Sequence, residues 1–111
     1  MSARWVHVCS LDAFNKRQIV TATLEGRQFI LIQDEGRFFA AERACPHEGA
    51  DLALGRCSHA QLHCPRHAAS FDLTDGSVSP GWSFPALRVY SIRAIGSDLW
   101  IDLGRQDDRP E

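Results

Sequence analysis

Large apolar and polar residues alternate in short stretches along this chain, and a Gly or Asx turn closes a stretch roughly every ten residues. That pattern predicts strands joined by tight turns. Trp5 to Cys9 reads as a first strand and Gln18 to Leu24, rich in β-branched residues, as a second. The residues between, Leu11 to Arg17, read as irregular with one helical turn. Arg27 to Gln33 contains the unbroken run Phe29-Ile30-Leu31-Ile32, the signature of a strand covered on both faces. Glu25-Gly26 precedes it as a turn, and Asp34-Glu35-Gly36-Arg37 follows it as a hairpin turn into Phe38 to Ala41. Gln61 to His63 and Ser70 to Leu73 are short strands, with Arg56 to Ala60 polar and irregular before them. Thr74 to Ser77 is a turn, and Ser79 to Pro85, with three glycine or proline breakers, is a loop. Leu87 to Arg93 and Leu99 to Leu103 are the last strands, joined by a turn at Ile95 to Asp98.

No window shows sustained helical periodicity, and there is no internal repeat. The expected fold class is all-β, an antiparallel sandwich or small barrel. At 111 residues the chain fits one domain, 1–111, with 104–111 as a polar, frayed tail. Apolar residues make up 44% and charged residues 23%, with a net charge of −2. Nothing there points to a nucleic acid or an anionic membrane as partner. The first residues contain no apolar signal region, and no stretch approaches a membrane span, so a cytoplasmic chain is expected.

The chemistry concentrates in two boxes, Cys45-Pro46-His47 and Cys64-Pro65-Arg66-His67, sixteen residues apart. Each offers one thiolate and one imidazole and falls between strands, so the boxes are expected as two adjacent loops at one end. In a reducing compartment Cys beside His points to metal rather than disulfide. Four N and S ligands fit either zinc or an iron–sulfur cluster. Mixed ligation, with two Cys on one iron and two His on the other, needs one thiolate and one imidazole from each loop, which these boxes supply. Cys9 and Cys57 lie outside the boxes and read as plain buried or half-buried thiols. His7, His59 and His63 read as non-ligands.

The two boxes at this spacing resemble the Rieske [2Fe–2S] motif. The similarity extends to Gly49-Ala50-Asp51-Leu52 and Gly55 in the first loop. It continues through Phe71-Asp72-Leu73 and Gly76 after the second, and to Pro80 and Pro85, where the family places a loop over the cluster. It spans roughly residues 3–103. The resemblance implies the Rieske fold with one [2Fe–2S] cluster in a subdomain formed by two loops. Cys45 and Cys64 would hold one iron, and His47 and His67 the other. Such a chain carries one electron and has no catalytic site of its own.

The respiratory, high-potential branch of that family has a second Cys pair that bridges the loops, and Ser and Tyr hydroxyls near the cluster. Ala50, Arg66, Ala69 and Phe71 stand at those positions here. Fewer hydroxyl donors stabilise the reduced cluster less, which implies the lower end of a range of roughly −150 to +300 mV. The resemblance is thus closest to soluble Rieske ferredoxins, monomers that pass electrons from a flavoprotein reductase to the terminal oxygenase of aromatic-ring-hydroxylating dioxygenase systems. Docking is expected through the His47 and His67 tip. The alternative is the small Rieske-like subunit of an NAD(P)H-dependent nitrite reductase. One departure is Ala68, where the family often has Gly; a positive φ there would strain the chain. Arg66, Trp82 and Phe84 are the local candidates for contact with a partner.

Overall fold

The computed structural model describes residues 3–46, 49–66, 68–83 and 85–104. Among these residues ten strands follow in chain order: β1 (Trp5–Ser10), β2 (Ile19–Leu24), β3 (Arg27–Asp34), β4 (Arg37–Glu42), β5 (Arg56–Ser58), β6 (Gln61–His63), β7 (Ser70–Asp72), β8 (Val89–Tyr90), β9 (Ile92–Ile95) and β10 (Asp98–Asp102). Two single-turn 3₁₀ segments, Leu11–Ala13 and Leu52–Leu54, are the helical content of the described residues. The strands form three antiparallel sheets, ordered β1-β10-β9, β2-β3-β4-β8 and β5-β6-β7.

The middle strand β3 organises them. Phe29 is 1% exposed, and Ile30, Leu31 and Ile32 are fully buried. Successive strand side chains point to opposite faces, so this run feeds two cores. Ile30 and Ile32 join Phe39, Ala41, Leu52, Leu62, Phe71 and Leu87 on one side. Phe29 and Leu31 join Phe14, Val20, Ala40, Tyr90, Leu99 and Ile101 on the other. The register explains the sorting: Ile30 faces Ala41 and Ile32 faces Phe39 across the ladder, whereas Leu31 faces Ala40. The four-stranded sheet is therefore a partition, with the β1-β10-β9 sheet on one face and the small β5-β6-β7 unit on the other. This is the all-β arrangement that the sequence pattern predicts.

Two-residue turns set the register of the hairpins. Glu25 and Gly26 connect β2 to β3, and Glu35 and Gly36 connect β3 to β4, all four at positive φ as such turns require.

Two expectations are corrected. Arg56 to Ala60 is not irregular throughout: Arg56–Ser58 is strand β5, paired with β6 through Ser58 opposite Gln61. The turn between them is His59 and Ala60, both at positive φ without a glycine. Long-range hydrogen bonds hold it, from Ala60 N–H to Asp34 Oδ2 at 2.8 Å and from Leu73 N–H to the Ala60 carbonyl at 2.9 Å. Leu87 to Arg93 is not one strand. Tyr90 pairs with Ala40 in the four-stranded sheet, and Ile92 pairs with Ile101 in the other. The chain changes sheets at Ser91, whose carbonyl accepts from Asp102 N–H at 3.0 Å. Of the tail expected to fray, only Gly104 lies within the described residues.

Candidate metal centre

β4 delivers the chain to the first box. The loop that carries Cys45 is closed at its base by Arg43 and Asp51. The guanidinium binds the carboxylate through both oxygens, Nε to Oδ1 and Nη2 to Oδ2, each at 2.9 Å. Asp51 Oδ1 also accepts from Ala53 N–H at 3.0 Å, so the same carboxylate caps the 3₁₀ turn Leu52–Leu54. The paired guanidinium holds the Asp51 carboxyl below the usual carboxylate range and raises the Arg43 pKa in return. Backbone bonds complete the closure: Leu52 N–H to the Arg43 carbonyl at 2.9 Å, and Gly49 N–H to the Cys45 carbonyl at 2.8 Å.

β6 delivers the chain to the second box, and the two boxes share one construction. In each, the cysteine N–H donates to the carbonyl five residues on: Cys45 to Ala50 at 2.9 Å, Cys64 to Ala69 at 3.1 Å. Among the described residues, neither loop has a cis peptide. Ala68 is not among the residues at positive φ, so alanine replaces the family's frequent glycine there without strain. The Pro80 loop is tied to the second box by Ser70 and Ser79. Ser79 N–H donates to the Ser70 carbonyl at 2.8 Å, and Ser70 N–H to Ser79 Oγ at 3.0 Å.

The two loops bring the cysteines together. Cys45 and Cys64 are 2% and 5% exposed, and their Sγ atoms lie 3.8 Å apart. A disulfide would need about 2.05 Å. Two thiolates about 2.3 Å from one tetrahedral metal sit at roughly this separation, so the pair fits a shared iron or zinc. The surroundings are apolar: Ala50, Leu52, Ala69 and Phe71 are all buried. Ala50, Ala69 and Phe71 bring neither a thiol nor a hydroxyl to this core. His47, His67 and Phe84 lie outside the described residues. Among the described residues, no third Cys, His, Asp or Glu joins the two thiols in a metal-holding group.

The other cysteines are accounted for. Cys57, on β5, is 7% exposed and belongs to the same core as Cys45 and Cys64. Burial, reinforced by Asp34, pushes its thiol up to about 11, so it stays protonated and behaves as a small apolar group. Its backbone is held by Gln18, whose Nε2 donates to the Cys57 carbonyl at 2.8 Å and whose Oε1 accepts from Cys57 N–H at 3.3 Å. Cys9 sits on β1 opposite Leu99, away from the boxes. His7 is engaged with Asp98 at 3.0 Å and packs edge-on against Trp100, while His59 is exposed in its turn. His63, next to Cys64, points its carbonyl at Gly55; a Cβ on Gly55 would lie 2.2 Å from that oxygen.

The sequence reading missed Gln18 as a strut and Arg43 as a clamp. Arg43 and Asp51 flank the first box, and opposite charges at the two feet of a ligand loop were the available signal.

Comparison with known proteins places this geometry. The ferredoxin component of the naphthalene 1,2-dioxygenase system of Pseudomonas aeruginosa is 24% identical over 103 residues, covering 93% of this chain and 99% of that one. Among solved structures, Pseudomonas putida CBB5 NdmA superposes with a TM-score of 0.79 and 22% identity, over 96% of this chain but only 37% of NdmA. A complex of reduced oxygenase and oxidized ferredoxin in carbazole 1,9a-dioxygenase contains a chain that superposes with a TM-score of 0.76 and 20% identity, over 88% of this chain and 92% of that one. Residues 4–91 match the Rieske [2Fe-2S] domain. With that match running from β1 through both cysteine loops, the chain belongs to the Rieske [2Fe–2S] domain family, whose cofactor is a single [2Fe–2S] cluster.

Proposed function

We propose that this chain is a one-electron carrier, the cytoplasmic ferredoxin component of an aromatic-ring-hydroxylating dioxygenase system, with no catalytic site of its own. The observation that carries this reading is the pair of buried thiols 3.8 Å apart in a fold matched nearly end to end by a dioxygenase ferredoxin component. Cys45 and Cys64 bind one iron, and His47 and His67 bind the other. When bound, the cluster supplies a one-electron couple. The protein holds the two thiolates at a fixed separation, excludes water from them and brings the outer edge of both loops towards a partner.

Residues 1–111 act as one domain on this reading. The radius of gyration is 13.3 Å, against about 13 Å for one compact domain of this length. Among the described residues, no helix is long and apolar enough to cross a membrane. The partners are a flavoprotein reductase and a terminal oxygenase. The oxygenase–ferredoxin complex of the carbazole system supports the second of these. Docking runs through the His47 and His67 tip of a monomer. Leu54, 73% exposed beside the second box, adds an apolar contact there. Ala69 and Phe71 offer no hydroxyl, so the potential falls near the low end of the family's range, roughly −150 mV.

Anaerobic dithionite reduction tests the cluster. A brown protein with the rhombic paramagnetic signal of mixed ligation is expected, and a colourless zinc protein overturns the reading. Film voltammetry far above zero overturns the low-potential assignment. Turnover of a reductase and an aromatic dioxygenase only when this protein is added supports the carrier role. Tight co-purification with a sirohaem enzyme replaces it with the nitrite reductase subunit.

A further inference from the structure

On the flank of the first cysteine loop lies an open groove of about 540 Å³ into which Arg27, Arg43 and Arg88 converge. The whole chain carries a net charge of −2, so this concentration of guanidinium groups is local. Two carboxylates share the groove, and both are engaged. Asp51 is gripped by Arg43 through both oxygens. Glu42 Oε1 accepts from the Arg88 backbone N–H at 2.8 Å.

Arg27 and Arg88 are different. Among the described residues no carboxylate lies within ion-pair distance of either. Arg27 is held by neutral groups. Its Nη2 donates to Tyr90 Oη at 2.6 Å, and its guanidinium carbon stands 5.1 Å from the Phe29 ring centroid and 5.7 Å from that of Tyr90. Stacking fixes the guanidinium plane without neutralising it. Glu25 lies within electrostatic range of Arg27, but Arg4 binds its carboxylate at 2.6 and 3.1 Å.

The position of the groove narrows the occupant. Ala44 and Gly49, both exposed and small, form its wall on the loop that carries Cys45. Anything seated there rests against that loop. A carboxylate matches the planar fork of an arginine. We infer that this groove is a docking site for an acidic segment of the electron-transfer partner protein. Glu or Asp side chains of that segment pair with Arg27 and Arg88. The inference rests on the carrier reading above and adds a charge-selective contact beside the cluster loops, which favours correct encounter more than raw affinity.

Calorimetric titration of the holoprotein with a hexaglutamate peptide at low salt tests it, with hexalysine as control. Hexaglutamate binds and hexalysine does not. The R27Q/R88Q double variant weakens binding by about tenfold or more, the loss expected for charge-assisted contacts. R93Q, which removes one charge from the β1-β10-β9 sheet, leaves binding unchanged. Arg27 also holds Tyr90, so R88Q alone is the second variant, and it too weakens binding. Equal binding by wild type and both variants overturns the site, and so does an equal loss in R93Q. Tripolyphosphate binding more tightly than hexaglutamate through the same two arginines overturns the assignment to a protein partner. The visible spectrum of the same samples reports the cluster separately. A colourless protein that still binds hexaglutamate through Arg27 and Arg88 refutes the carrier reading and keeps the acidic-segment site.

Discussion

Cys45 and Cys64 lie nineteen positions apart in sequence, yet their sulfurs approach to 3.8 Å inside an apolar core. Each is set by the same backbone bond, from the cysteine N–H to the carbonyl five residues later. The pair is too far apart for a disulfide and well placed for one metal ion. Cys57 packs in the same core without belonging to that pair.

Replacing Cys45 or Cys64 by Ser therefore abolishes the visible and paramagnetic signature of the cluster. Cys57→Ala keeps the signature and costs about 1 kcal/mol, the burial of one small apolar group. Absorbance and urea unfolding on the three variants check this. Loss of the signature in Cys57→Ala alone reverses the ligand assignment. His67→Ala is expected to abolish the signature as well, since the proposed ligation leaves the second iron with His47 as its one protein ligand.

Two glycines are required by close approach. A Cβ on Gly55 meets the His63 carbonyl oxygen at 2.2 Å, and one on Gly76 meets the Leu87 carbonyl oxygen at 2.0 Å. Gly76 also has a φ of +84°. Gly76→Ala is expected to destabilise the protein by about 2 kcal/mol or more, through backbone strain together with overpacking. Gly36→Ala, at φ +78° with no atom within 4 Å, costs only about 1 kcal/mol. Equal midpoints in urea for the two variants show that the close contact relaxes freely.

Acid acts on the Arg43–Asp51 clamp. Arg43 lowers the Asp51 pKa below its ordinary 3.8. A depressed carboxylate contributes stability that is present above the unfolded value and is lost as pH falls through the folded one. Asp51→Asn therefore loses its cluster faster than wild type near neutral pH. The two proteins converge at pH values below 3.8. Cluster half-life followed by absorbance across this range checks the sign; a gap that widens in acid contradicts the clamp.

Alkali acts on Cys57. Its thiol is raised from 9.0 to about 11, chiefly by burial and next by Asp34. The neutral form is the one the fold accepts, so its contribution is complete below pH 9.0 and declines as pH rises towards 11. Thermal midpoints of wild type and Cys57→Ala are expected to draw together over that interval. Native Cys57 also resists iodoacetamide until the protein unfolds. Rapid alkylation in the folded state at pH 9.0 contradicts its burial.

Much of the fold is legible because its determinants are local. Gly26 and Gly36, each in a short polar break between apolar runs, announce the first hairpins, because glycine takes the left-handed conformation freely. The run Phe29 to Ile32 announces a strand with two buried faces through composition alone. The elements that escape the sequence depend on distant partners. The His59–Ala60 turn has no glycine and is held by Asp34 and Leu73, so Arg56–Ser58 carries no turn signal to mark it as a strand. Alternation continues through Ser91, so nothing in the pattern marks the switch between sheets.

The sequence by itself determined the two Cys-His boxes, the turns and the burial of β3, because residue type, local φ and side-chain alternation act over a few neighbours. Only the tertiary structure decided that Cys45 meets Cys64 while Cys57 does not, that Arg43 and Asp51 close the first loop, and that Arg27 and Arg88 share a groove beside it. Those are contacts between segments that the chain brings together only on folding. Their distances follow from how three sheets pack, which no short window of residues encodes.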